Sequence, residues 1–272
     1  MSKHVIIVGS GNAAMCAGIA ALECGATVLM LEKADQDLAG GNTKYTAGAM
    51  RFAYDGAEDL LPLLKDPDDP RLKVTDFGGY TRAKFSEDLL GFNGGRPLSV
   101  EQERLTGTSL EAMQWLGGHG VKFEPIYSRQ SFEKGGRHVF WGGLTLAAEN
   151  EGVGLFDMEL AVFERRGGDI RYNSAVTGLI TEDGRVTGVN VGDETLHADA
   201  VILACGGFEA NAALRHDLMG GNWEKAKVRG TPNNTGDVLV MAHGLGAAKY
   251  GLYPNCHATP MDLHMPDFAT LD

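Results

Sequence analysis

At 272 residues, 43% apolar and 22% charged, the chain has room for one large or two small domains and the composition of a folded protein, not a disordered one. Its 24 basic residues against 36 acidic ones leave a net charge of −12, which argues against a protein that coats nucleic acid or an anionic membrane. The 38 glycines follow no repeating period; they exclude collagen and signal tight turns or close backbone approaches.

The N-terminal lysine and apolar stretch resemble a secretory leader, but Gly9, Ser10, Gly11 and Asn12 break it at its centre. No charge-free apolar run reaches transmembrane length. Cys16, Cys24, Cys205 and Cys256 form neither a Cys-x-x-Cys pair nor a zinc spacing. A cytoplasmic protein with reduced cysteines is therefore expected.

His4-Val-Ile-Ile-Val8 is a β-branched apolar run, as expected of a strand buried on both faces. Gly9-Ser-Gly11-Asn-Ala-Ala14 follows, then an Ala/Leu/Ile-rich helix over Met15–Cys24 that Gly25 stops. Ala26–Leu31 is a second strand ending at Glu32. Strand, glycine turn, helix, strand and terminal acid together make a dinucleotide-binding βαβ unit. Gly9 serves the tight turn, Gly11 lets the backbone approach a pyrophosphate, and Ala14 keeps the helix close to the strands. The helix N-terminus offers amide donors and a positive dipole end to phosphates. Glu32 is placed to accept from ribose hydroxyls and would repel a 2′-phosphate.

Downstream, the small residues of Gly40-Gly-Asn-Thr43 and Ala47-Gly48 describe a backbone that wraps closely around something flat. A Pro- and Asp-rich excursion over 55–76 holds one helical piece, Ala57–Leu64. Helices are expected over Tyr80–Leu90 and Ser99–Gly117, the latter capped by Ser99 and stopped by Gly117-Gly118. A short strand over Val121–Ile126, a loop over Phe132–Gly143 and a helix over Leu155–Arg166 follow. Asp169–Tyr172 reads as a strand. Val176–Glu182, Val186–Val191 and Thr195–Leu196, joined by Asp183-Gly184 and Gly192-Asp193, make an antiparallel meander. It feeds the apolar strand Ala200-Val-Ile-Leu-Ala-Cys-Gly-Gly207. No Gly-x-Ser-x-Gly elbow follows a strand, and prolines at 254, 260 and 266 disfavour a helical metal site at His257 and His264.

The set Val8-Gly-Ser-Gly-Asn-Ala-Ala14, Glu32-Lys33, Gly40-Gly-Asn-Thr43, Leu203-Ala-Cys-Gly-Gly-Phe208 and Asn234-Thr-Gly-Asp237 resembles the FAD-binding domain of the fumarate reductase/succinate dehydrogenase flavoprotein family. Gly41–Phe52, Trp141–Leu144 and Lys227–Thr231 look most like its tricarballylate-oxidising branch. The resemblance implies an α/β, Rossmann-like FAD-binding domain of the glutathione-reductase type, with inserted helices and the meander. It implies that Gly9, Gly11 and Ala14 serve the pyrophosphate and Glu32, with Lys33 beside it, the ribose. Gly40, Gly41, Asn42, Thr43, Ala47 and Gly48 would run beside the isoalloxazine, Val176 would meet the adenine end, Ala204, Cys205 and Gly206 would close the pocket, and Asp237 would lie near the flavin. Val238 stands where the family commonly has glycine. No histidine occurs between His4 and His119, so FAD is expected to be noncovalent.

The same resemblance implies hydride exchange between flavin and a small carboxylate, with tricarballylate to cis-aconitate as the leading case. Fumarate-reductase-type or 3-ketosteroid-dehydrogenase-type chemistry, and a noncatalytic FAD-binding fragment, are the alternatives. Cys256-His-Ala-Thr259 is similar to the family's His-Pro-Thr segment, which makes His257 the expected carboxylate-binding residue. A membrane-bound iron–sulfur partner would exchange the electrons. An FAD-binding domain over 1–252, lacking its C-terminal segment, and the start of a capping domain over 253–272 are expected; the sequence reads as the N-terminal portion of a longer protein.

Overall fold

The computed structural model describes residues 2–271; Met1 and Asp272, the outer bounds of the two expected domains, lie outside the described residues. The chain divides into two compact units. One combines residues 1–45 with 159–272, and the other is 46–158.

The first unit is built on a four-stranded parallel sheet. Strand β1 (His4–Val8) lies between β2 (Thr27–Leu31) and the returning strand Ala200–Leu203, and Asp169–Arg171 pairs with the far side of β2. Ile6 and Ile7 are fully enclosed, as a strand apolar on both faces requires. Helix α1 (Asn12–Glu23) makes the connection from β1 to β2, three residues earlier in its start than the apolar run alone indicates. It packs close on the helix Glu151–Arg165: a Cβ on Gly18 would stand 2.7 Å from Phe163 Cε2. The meander is Val176–Glu182, Arg185–Val191 and Glu194–His197. Asp183 and Gly184 both have positive φ (49° and 76°), the two-residue turn that matches strand twist. Val176 and Val189 join Ile6, Val8, Leu29 and Leu31 in one core cluster.

Two short helices in this unit carry little periodic signal. Ala212–Met219 is capped by Asn211, whose side chain accepts from the Leu214 amide at 3.1 Å. Asp237–Gly244 starts from Gly236 at φ 77°. Val238 is buried in the same core cluster.

In the second unit, Ser99 and Gln102 form a capping box for the helix Val100–His119. That helix does not stop at Gly117-Gly118; it runs through both glycines and ends on Gly120 at φ 103°. The expected helical piece at Ala57 is an α-turn over Ala57–Leu60 continued as 3-10 helix to Leu63. The segment 132–143, expected as a loop, is instead a hairpin, Ser131–Lys134 against Arg137–Phe140. Gly135 and Gly136, at φ 59° and 75°, make its two-residue turn, a hairpin signal that the surrounding aromatic and glycine density obscures. No helix among the described residues is long and apolar enough to cross a membrane.

Candidate cofactor site

The site grows from the end of β1. Gly9 takes φ 103° and donates its amide to Leu31 O at 2.9 Å, tying the turn to β2. A Cβ there would stand 2.6 Å from both Ala204 O and Cys205 Cα, so glycine is required twice over, by φ and by space. Gly11 is the N-cap of α1 and offers no side chain to the first-turn amides. The Asn12 amide reaches Thr43 Oγ1 at 2.9 Å, and Ala13 turns into the cleft. Ala14 is fully buried behind this turn, where a small residue lets the helix sit on the sheet.

One cleft, entirely within the first unit, brings together Gly9, Gly11, Glu32, Lys33, Gly41, Asn42, Thr43, Val176, Ala204, Cys205, Gly206 and Asp237. Gly40 stands just behind it, donating its amide to Ser10 Oγ at 2.9 Å. Ala47 and Gly48 belong to the second unit. His257 lines a separate groove of the first unit, along with Thr259.

Three braces hold the cleft walls. Buried Ser10 donates to Glu32 Oε2 at 2.5 Å while accepting from Gly40, and the other oxygen of Glu32 accepts from the Ala34 amide at 2.8 Å. Glu32 is thus both a wall of the cleft and the anchor of the first glycine turn. Asn42 Oδ1 accepts from the Thr231 amide at 2.9 Å, fixing the Gly40–Thr43 segment to the loop that carries Thr231. Lys33 Nζ donates to Thr235 Oγ1 at 2.6 Å and Asp237 Oδ2 at 2.8 Å, and Thr235 donates to the second Asp237 oxygen. Partial burial pulls the Asp237 carboxyl upward, but the bonds from Lys33 and Thr235 outweigh it and hold it below the usual carboxylate range. Asp237 therefore sits at the end of the cleft where β2 terminates, beside Lys33. Residue patterns alone gave no role to Ser10 or Thr231. The tripeptide spacing Ser10-x-Asn12 carries no such information, because their partners lie 22 and 31 residues away.

Beneath the first turn of α1, the Cys16 thiol lies 3.3 Å from Asn12 Oδ1 and 3.7 Å from Glu159 Oε1. Glu159 is fully enclosed, and its Oε2 has no hydrogen-bond partner. Burial pushes the Glu159 carboxyl up to about 8, the Cys16 thiol opposing. Burial, reinforced by Glu159, pushes Cys16 to about 12, so it stays a thiol.

The arrangement fits an FAD-type dinucleotide. Glycines at 9, 11 and 206 clear the floor of side chains, a helix N-terminus whose N-cap is Gly11 borders the cleft, and an acid closes the second strand.

A family model described as an FAD binding domain matches residues 4–255. Vinyl phenol reductase of Lactiplantibacillus plantarum is 27% identical over 262 residues, covering 92% of this chain and 48% of that protein. Fumarate reductase (cytochrome) of Shewanella frigidimarina is 30% identical over 268 residues, covering 94% and 42%. The open conformation of a flavocytochrome c3 fumarate reductase matches with a TM-score of 0.67 at 24% identity, over 91% of this chain and 41% of that one, a likeness of fold. The chain spans less than half the length of these curated relatives.

Proposed function

The chain belongs to the FAD-binding domain family of the fumarate reductase/succinate dehydrogenase flavoproteins, and from that premise we propose that it is the cofactor-binding part of an oxidoreductase that exchanges hydride with a small carboxylate. The couple we assign is tricarballylate and cis-aconitate. The observation that carries the reading is the side-chain-free cradle at Gly9, Gly11 and Gly206, set between an uncapped helix N-terminus and Glu32. The activities for which the relatives are named, vinyl phenol and fumarate reduction, favour reduction of an unsaturated carbon–carbon bond as the alternative direction.

FAD, when bound, supplies a hydride acceptor or donor at its N5 atom. This chain's own residues bind and orient it. The α1 N-terminus holds the pyrophosphate, where a positive dipole end contributes up to about 1 kcal/mol per anionic group at exposed sites. Glu32 accepts from ribose hydroxyls with the lone pairs that Ser10 and Ala34 leave, and Lys33 and Asp237 close that end as a neutralised pair. Gly40, Gly41, Asn42 and Thr43 run beside the isoalloxazine, with Val176 at the adenine end. His257 polarises a substrate carboxylate. Residues 1–252 act as the FAD-binding domain and 253–272 begin a capping domain. A membrane-bound iron–sulfur protein takes or delivers the electrons.

The test is spectroscopic. The purified chain is expected to carry an oxidised-flavin absorbance. In the longest version of the protein, anaerobic tricarballylate should bleach it, or cis-aconitate should re-oxidise flavin reduced beforehand. A preparation that binds no FAD would overturn the cofactor assignment; FAD bound but inert to both compounds and active with fumarate would move the substrate assignment to the fumarate type.

A further inference from the structure

Glu159 is a buried acid that the cofactor chemistry above leaves unused. Three contacts set its helix, Glu151–Arg165, along α1: Cys16 meets Glu159, Gly18 makes room for Phe163, and Glu23 pairs with Arg166 at 3.4 Å. The first of these brings a fully enclosed carboxyl group to the turn of α1 that borders the cleft. Its Oε1 has the Cys16 thiol at 3.7 Å, and its Oε2 has no hydrogen-bond partner. Among the described residues no charged side chain faces it. Glu23 is the one charged residue of α1 and sits with Arg166; His4, the titratable group of β1, lies at the far end of that strand against Thr27. Glu151, Asp157, Glu164 and Arg165 on its own helix are exposed. Burial and the thiol are what act on its carboxyl.

The Cys16 thiol has one hydrogen and two acceptors, Asn12 Oδ1 at 3.3 Å and Glu159 Oε1 at 3.7 Å. Burial keeps it a thiol, so that hydrogen is always there to be placed. A neutral Glu159 carries its own hydrogen and leaves the thiol's for Asn12. A carboxylate only accepts, more strongly than an amide oxygen, and draws the thiol hydrogen to itself. Asn12 is the first residue of α1 and lines the cleft, with its backbone amide fixed on Thr43 Oγ1 at 2.9 Å. Its side-chain NH2 has no partner among the described residues. When the thiol holds Oδ1, the amide is pinned with its donor end left for the cleft. An ionised Glu159 would also set an unpaired negative charge beneath the positive end of α1, against an anionic ligand.

We propose that Glu159 is a positioning residue for the cofactor, acting through Cys16. While Glu159 holds its proton, the thiol fixes Asn12 with its side-chain NH2 toward a phosphate oxygen of FAD; loss of that proton to solvent withdraws the thiol and opposes the phosphate charge. The inference rests on the FAD reading above and adds a proton to it: the acid that governs affinity lies outside the cleft and touches no ligand.

The experiment titrates the full chain, stripped of flavin, with FAD at pH 6 and pH 9 by fluorescence, and at pH 8 by calorimetry in two buffers of different ionisation enthalpy. Wild-type affinity is expected to fall about tenfold from pH 6 to pH 9, the worth of one charge-assisted bond, with a fraction of a proton taken up on binding at pH 8. Glu159→Gln, fixed in the neutral form, should keep its pH 6 affinity at pH 9 and take up no proton. Cys16→Ala should bind at pH 6 as weakly as wild type does at pH 9, and Cys16→Ser, which keeps a donor, should bind tightly again. Infrared spectra of the flavin-free protein read the thiol directly: the S–H band lost in Cys16→Ala should shift with pH in wild type and stay fixed in Glu159→Gln. FAD affinity that ignores pH, a pH dependence retained in Glu159→Gln, or an unmoved thiol band would overturn this proposal and leave the FAD reading standing. Absence of FAD binding at every pH would overturn the FAD reading, and this proposal with it.

Discussion

In Glu32 both carboxylate oxygens are already engaged by the protein, Oε2 by Ser10 and Oε1 by the Ala34 amide. Removing the side chain therefore strips the glycine turn of its anchor as well as, on the proposed reading, a bound ribose of its acceptor. Glu32→Ala is expected to weaken FAD binding by about 1.5–3 kcal/mol, the worth of hydrogen bonds to a charged group, and to lower the melting temperature of the flavin-free protein. Glu32→Gln keeps one acceptor for Ser10, so it should lose affinity while retaining most of the stability. Flavin titration and thermal melts on the two variants check this; a Glu32→Ala protein that melts like the wild type would show that the brace is idle. Glu159 offers a second test, in pH. Its carboxyl is raised from an ordinary 4.5 to about 8 in the folded protein, so between those values the native state holds a proton that the unfolded chain releases. The contribution is stabilising and complete below about pH 4.5, is lost as pH rises toward 8, and is flat above that. Glu159→Gln keeps the neutral form and removes the slope. Urea unfolding at pH 5, 7 and 9 should show the variant near wild type at pH 5 and more stable than it at pH 9, by roughly a few kcal/mol at about 1.4 kcal/mol per unit.

At the scale of elements, β1, α1 and β2 are legible because their chemistry is local: a β-branched run, glycines at fixed offsets and an acid at a strand end all fall within 29 residues. The meander is legible for the same reason, through Asp183-Gly184. What joins these pieces is not local. The Lys33–Thr235–Asp237 clip spans 202 and 204 positions of sequence, and no periodicity encodes which lysine meets which acid. The hairpin at 131–140 escapes because strands of four residues are too short to show alternation above their aromatic background. Two glycines that follow regular elements separate two effects that sequence alone merges. Gly25 and Gly206 both have left-handed φ, 79° and 76°, but a Cβ on Gly25 meets nothing within 4 Å, whereas one on Gly206 would meet Asn234 Nδ2 at 2.5 Å. Gly25→Ala should therefore show backbone strain alone, about 1 kcal/mol, with flavin retained. Gly206→Ala adds overpacking against a buried asparagine, a further 1–3 kcal/mol by about the usual range, and should lose flavin as Asn234 is displaced into the cleft. Denaturant midpoints and flavin content of the two variants separate the cases; equal losses in both would mean that the Asn234 contact relaxes freely.

For the molecule as a whole, the proposed noncovalent binding of the cofactor accords with the chemistry of the cleft. Among its lining residues there is no histidine and no tyrosine. The one thiol, Cys205, is pushed upward by burial and so is held as the neutral, weakly nucleophilic form. His4, the nearest histidine in sequence to the glycine turn, lies at the far end of β1 with Nδ1 3.1 Å from Thr27 Oγ1. On the proposed noncovalent reading, a flavin here is retained by hydrogen bonds and the helix dipole, all of which are reversible, and reversible binding to the native state alone stabilises it by RT ln(1 + [L]/Kd). Free FAD at a hundred times its Kd should add about 2.7 kcal/mol to the unfolding free energy, and the melting temperature should keep climbing as FAD is raised further. A covalent flavin would give a melting temperature blind to added FAD. Acid precipitation supplies the complementary measurement: protonation of Asp237 on unfolding breaks its clip to Lys33, and all of the yellow colour is expected in the supernatant. Flavin left in the pellet after washing in denaturant would mean that a side chain outside the cleft reaches the isoalloxazine, and the noncovalent assignment would fall.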